Sequence, residues 1–147
     1  MTVTAQPIRL SLAELQAEIA QFYADHFYLL DSGQAQRWAD TFTADGAFYP
    51  PHRPEPLRGR ATLADGVAAA HQEYEQRGEQ RRHWHGMVSV NPQPDGRLAV
   101  RCYAQIIVTP RGGTPSLHLS CVCHDVFVRE DGRWLVAERR VTRDDRP

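Results

Sequence analysis

Asp31 and His83 are the residues in this chain whose types and places point first to chemistry. The acid closes Leu29-Leu30-Asp31, at the tip of an expected opening helix. The imidazole stands in Arg82-His83-Trp84-His85-Gly86, at the start of an expected long strand. A carboxylate that accepts from one imidazole nitrogen fixes the tautomer and makes the other nitrogen more basic, able to take a proton from a carbon next to a carbonyl. Each residue also has a plainer reading. Asp31 beside Ser32 and Gly33 fits a helix-ending turn, and His83 fits a core histidine satisfied by a neighbour. Asp125, on a later strand, is a reserve acid or base, expected at a solvated position near the strand end.

The spacing His83-x-His85 also raises metal chemistry, because two imidazoles on one strand face begin many zinc and iron sites. A third ligand is not evident. A cupin-type site adds a glutamate four residues on, where this chain has Ser89, and His118 and His124 fall on the face opposite Cys121 and Cys123. The chain has 3 cysteines. Cys121-x-Cys123 places two thiols on one strand face without the paired spacing of a zinc site, so buried reduced thiols are expected. No metal or other cofactor is expected.

The elements that must position these groups follow from periodicity. Ser11-Leu12-Ala13-Glu14 has the form of a capping box, and Leu12, Leu15, Ile19, Phe22, Tyr23, His26 and Leu30 then recur at helical steps until Gly33. A shorter helix is expected from Gln34 to Phe42. Asp45-Gly46 should turn the chain into a short strand, Ala47 to Tyr49. Pro50, Pro51, Pro54 and Pro56 force a loop at the rim of the fold, and Thr62-Leu63-Ala64-Asp65 should cap a third helix ending at Gly78. After Arg81 come four strands, Arg82–Val90, Arg97–Thr109, Ser116–Arg129 and Arg133–Arg143. Asp95-Gly96, Gly112-Gly113 and Asp131-Gly132 separate them and make neighbours antiparallel. The fold class is α+β: three N-terminal helices packed on a curved, mainly antiparallel sheet, forming a cone around one pocket.

Side chains alternate along strands, so His83, His85 and Met87 share a face and Trp84 takes the other. Tyr103, Gln105, Ile107 and Thr109 form one set. Leu119, Cys121, Cys123, Asp125 and Phe127 form another. The expected substrate-binding set is Tyr49, His85, Tyr23, Gln105, Thr109, Cys121 and Cys123. Both sheet faces are apolar, as expected when helices cover one and a second copy covers the other, so a homodimer through the sheet is expected.

At 147 residues the chain has the size of one domain. Residues 1–10 read as an N-terminal extension, 11–143 as the domain and 144–147 as a tail. The formal net charge of −1 leaves no basic field for nucleic acid or anionic lipid, although all 17 cationic side chains are Arg. Met1 to Leu10 lack the apolar run of a signal peptide, and no membrane-length run follows, so a cytoplasmic protein acting on a small molecule is expected.

The ordered set of Leu29-Leu30-Asp31, Trp38, Thr43-Ala44-Asp45-Gly46-Ala47-Phe48-Tyr49, Leu57-Arg58-Gly59-Arg60, Arg82-His83-x-x-Gly86 and the closing Asp131-Gly132-Arg133-Trp134 segment spans nearly the whole chain. It resembles the SnoaL-like and scytalone-dehydratase-like branch of the nuclear-transport-factor-2-like superfamily. The resemblance implies that Asp31 orients His83 as general acid and base on a bound carbonyl compound, and that Tyr49 holds the substrate oxygen. Leu30 stands where the dehydratases have a second tyrosine and Thr109 near their second histidine, which sets the chain apart from scytalone dehydration itself. The implied activity is that of a cofactor-free lyase or isomerase, a dehydratase or cyclase of cyclic or aromatic secondary metabolites. Two other roles fit the fold: a non-catalytic partner resembling the β subunit of ring-hydroxylating dioxygenases, or a small-ligand-binding protein.

Overall fold

The computed structural model describes residues 9–146, so most of the expected N-terminal extension, and Pro147 of the tail, lie outside the described residues. Helix α1 runs Leu12–Asp31, α2 Ala35–Ala39 and α3 Arg60–Gln76. Strands are β1 Phe42–Tyr49, β2 Leu57–Arg58, β3 Glu79–Pro92, β4 Leu98–Pro110, β5 Ser116–Glu130 and β6 Arg133–Arg143.

The capping box at Ser11 forms as its sequence requires. The Ser11 hydroxyl accepts the Glu14 N–H at 3.2 Å, and the Glu14 carboxylate accepts the Ser11 N–H at 2.7 Å. The stripe behind it buries Leu15, Ile19, Tyr23, His26 and Phe27, while Leu12, in the first turn, stays 57% exposed. These side chains pack with Phe42, Leu98, Val100 and Phe127. Each large apolar side chain so buried stabilises the fold by about 1.5–3 kcal/mol.

Two expected starts are displaced. Asp45-Gly46 is not a turn before a strand but a kink within β1, where the register against β6 shifts between Phe42 and Ala47. A Cβ at Gly46 would meet the Phe42 side chain at 2.9 Å, so the close approach explains the glycine. Helix α3 begins at Arg60 with Gly59 (φ 86°) as its cap, not at Thr62. The Arg60 guanidinium instead donates from Nε and Nη2 to the Phe42 carbonyl, at 2.9 and 2.7 Å, tying the helix start to β1.

The sheet order is β2-β1-β6-β5-β4-β3, with β1 and β6 parallel and the other neighbours antiparallel. Register shifts at Gly86/Ser89, Ile106/Ile107 and Val126/Phe127 bend the long strands. Met87 (φ 52°) sits in the first of these bulges and is 75% exposed, so it does not share the inward face of His83 and His85. The helices cover the concave face. On the outer face Trp84, Tyr103 and Leu117 are more than half exposed. No helix of the described residues is long and apolar enough to cross a membrane.

Candidate active site

The last turn of α1 delivers Asp31 to the strand that carries His83. Ser32 and Gly33 close the helix through their N–H groups on Tyr28 and Leu30 carbonyls, at 3.0 and 3.2 Å. Gly33 has φ 73°, and a Cβ there would collide with the His71 ring of α3, so only glycine lets the helix end so near its neighbour. Asp31 then uses both carboxylate oxygens on one residue. Oδ1 lies 2.6 Å from His83 Nδ1, and Oδ2 accepts the His83 backbone N–H at 2.9 Å. The carboxylate is 6% exposed and the imidazole 20%. With Nδ1–H held by the carboxylate, Nε2 is the nitrogen left with a lone pair for a ligand.

Both side chains line a cavity of about 870 Å³ enclosed by the helices, the concave sheet and the Pro50-Pro51-His52-Arg53 rim. Its size lies within the range of about 300–1,000 Å³ typical of small-molecule sites. Phe48, Leu57, Leu63, Val67, Ile106 and Leu119 supply apolar wall. The Phe27 ring forms part of it, stacked on His85 at 3.5 Å between centroids and on His83 at 6.0 Å.

His85 faces the cavity but is no acid. Burial, then the positive charge of Arg139 and the proximity of His83, push its pKa down to about 2, so it stays neutral near pH 7. Its Nδ1 lies 3.2 Å from Cys102 Sγ. Cys121 and Cys123 also line the cavity, and Thr109 does so at the far end of β4.

Four expected site residues lie elsewhere. Gln105 is exposed on the outer face: it stands opposite Trp84, whereas Ala104, opposite His85, faces inward, and directly opposed residues share a face. Tyr49 is opposite Arg140 on the outer side of β1, its ring under the Arg140 guanidinium at 3.7 Å and its hydroxyl accepting from Arg58 Nη2 at 3.2 Å. Phe48 takes the inward place. Tyr23 lies beneath the cavity wall and donates its hydroxyl to Asp125 Oδ2 at 2.8 Å; burial, then the Asp125 charge, raise its pKa well above the phenol range. Asp125 is 2% exposed rather than solvated, and does not line the cavity.

Asp125 instead anchors an arginine that sequence reasoning passed over. Arg139 Nε and Nη2 donate to Asp125 Oδ1 and Oδ2, both at 2.9 Å, and Nη1 donates to His26 Nε2 at 2.8 Å. The His26 tautomer follows from its partners. Thr41 directs its hydroxyl hydrogen to the Trp38 carbonyl and so accepts from His26 Nδ1–H, leaving Nε2 to accept from Arg139 and from Trp38 Nε1–H. Burial first, then the Arg139 charge, hold His26 well below the usual imidazole pKa. Arg139 is 3% exposed, yet it lines the cavity.

The described residues place one donor set for a metal: His85, Cys102 and Cys123, each with one ligand atom, all within 4.8 Å. Of the His83-x-His85 spacing it keeps only His85; His83, with its Nδ1 against Asp31, is not part of it. The soft donors suit zinc. The Arg139 guanidinium, close enough for its charge to act on both thiols, opposes a cation there.

Residues 11–140 match the family model of the SnoaL-like domain. The chain belongs to the SnoaL-like family. Solved structures agree with the SnoaL-like assignment. Aln2 from a Streptomyces species superposes with a TM-score of 0.85 at 31% identity, covering 93% of this chain and 96% of that one. A protein from Catenulispora acidiphila in complex with S-DNPA gives 0.81 at 34% identity over 90% and 96%. ActVI-ORFA from Streptomyces coelicolor gives 0.82 at 30% identity over 89% and 98%. No curated protein matches the sequence significantly. The SnoaL-like fold accounts for the open, curved six-stranded sheet.

Proposed function

We propose that this SnoaL-like protein is a cytoplasmic, cofactor-free lyase or isomerase, a dehydratase or cyclase, that acts on a small cyclic or aromatic secondary-metabolite intermediate. The observation that carries the reading is the 2.6 Å contact of Asp31 Oδ1 with His83 Nδ1 inside a sheltered, largely apolar cavity. His83 Nε2 takes a proton from the carbon next to a substrate carbonyl, and the C–H electron pair moves through the carbonyl to its oxygen. When those electrons return, a β-hydroxyl leaves as water with the proton His83 has gained, or the proton is returned to another carbon and the product is an isomer. Asp31 holds the ring and stabilises the imidazolium in between. One positioned acid–base group supplies about 10²–10⁴ in rate, enough for a substrate whose own carbonyl acidifies the carbon.

A supporting-subunit or ligand-storage role would not require a carboxylate spanning the ring and backbone of one cavity histidine. The test is an untargeted comparison of metabolites in producing cells with and without the protein, followed by incubation of the accumulated compound with purified protein. The expected product is isomeric or lighter by one water. An accumulated compound bound but returned unchanged would contradict the reading. A homodimer through the outer sheet face belongs to the same proposal, supported by Trp84, Tyr103 and Leu117 on that face and Met87 in its bulge.

A further inference from the structure

An enolate made by His83 needs a donor for its oxygen, and the phenol expected in that role, Tyr49, points away from the cavity. We propose that Arg139 is the oxyanion-holding residue of this site, and that the site takes a ring compound whose carbonyl or phenolic oxygen seats on the guanidinium at the cavity floor. The inference rests on the acid–base reading and adds the substrate's polar contact to it.

The donor count leaves Arg139 able to act. Asp125 and His26 occupy one N–H on each of its nitrogens, so both terminal nitrogens keep a second N–H that no described residue accepts. The side chain retains 4% exposure and lines the cavity. Its position is fixed by the Asp125 fork and by His26, which is itself held by Thr41 and Trp38. Donors held in place before reaction need no reorganisation when charge develops, which makes them effective in a site sheltered from water.

Arg139 and His83 line the same cavity and border the same wall ring: Arg139 Cζ lies 5.2 Å from the Phe27 ring centroid and the His83 ring centroid 6.0 Å from it. The charge balance narrows the ligand class. Asp125 already neutralises Arg139, so a full carboxylate on the floor would put two anions on one guanidinium. An oxygen that is neutral when bound and gains charge only during reaction avoids that. Arg139 moves no proton; it stabilises the oxygen that His83 makes negative.

A nitronaphthol, whose phenolate absorbs at longer wavelength than its phenol, serves as probe and needs no turnover. Bound to the wild-type protein it should ionise at least about one pH unit lower than when bound to Arg139→Met. Because that variant leaves Asp125 buried and unpaired, Arg139→Met/Asp125→Asn removes both charges together and should show the same loss. His83→Ala should keep the shift, since it removes the base and not the floor. Equal ionisation in wild type and the double variant, or failure of the probe to bind wild type, overturns the proposal. Turnover of the cellular substrate would still stand or fall on His83 alone, so the two readings fail separately.

Discussion

Asp31 grips both the ring and the backbone of His83, at 2.6 Å through Oδ1 and 2.9 Å through Oδ2. The second contact makes the first selective. In Asp31→Asn the amide oxygen must face the His83 N–H, since two donors cannot meet there, and the NH₂ then donates to Nδ1. That moves the ring proton to Nε2 and leaves no base toward the cavity.

Asp31→Asn should therefore lower kcat on the accumulated compound by about 10²–10⁴ with little change in KM, because the ring stays in place but in the wrong tautomer. Kinetics at neutral pH check this. A rise in KM at unchanged kcat would show that Asp31 contributes to binding instead.

Much of the fold and part of the site were legible in the sequence, and the errors have physical causes. Capping and apolar stripes depend on neighbours three and four residues away, so α1 and the inward turn of His83 and His85 could be read locally. The choice between Tyr103/Gln105 and Cys102/Ala104 could not, because it depends on register across the Gln93-to-Arg97 turn. Arg139 was hidden by a bulge. Strict alternation from buried Trp134 and Val136 would send it outward, but the shift opposite Val126/Phe127 turns it in, directly across from Asp125. A buried acid at Asp125 was the signal that a counter-cation had to lie on the adjacent strand.

The Arg139–Asp125 pair should be costly to break from one side. Asp125→Ala leaves a buried guanidinium with one partner fewer and should destabilise the fold by about 3–5 kcal/mol, against much less for the double neutral variant Arg139→Met/Asp125→Asn. Urea unfolding of the two checks this; equal losses would show that the pair is not coupled.

His85, at about 2, and His26, well below the usual value, both have depressed folded-state pKa values. The unfolded chain therefore binds more protons than the folded one below about pH 6.5, and stability is full above that pH and lost as pH falls toward the folded values. Each group contributes up to about 1.4 kcal/mol per pH unit in that window. His85→Gln should flatten the pH dependence of urea midpoints between pH 6 and 4 by about one such slope; an unchanged slope would contradict the neutral assignment of His85.

The outer face should bind a second copy. Sedimentation at micromolar concentration should give a dimer for the wild type and a monomer for Trp84→Glu, since Trp84 is 67% exposed on the outer side of the edge strand β3. A monomeric wild type would remove the dimer.

The most direct test is the rate of His83→Ala on the compound that accumulates in cells lacking the protein, compared with wild type under single-turnover conditions. A loss of about 10²–10⁴, with the variant still folded and still binding the compound, is the predicted result. Turnover at the wild-type rate would mean that His83 moves no proton.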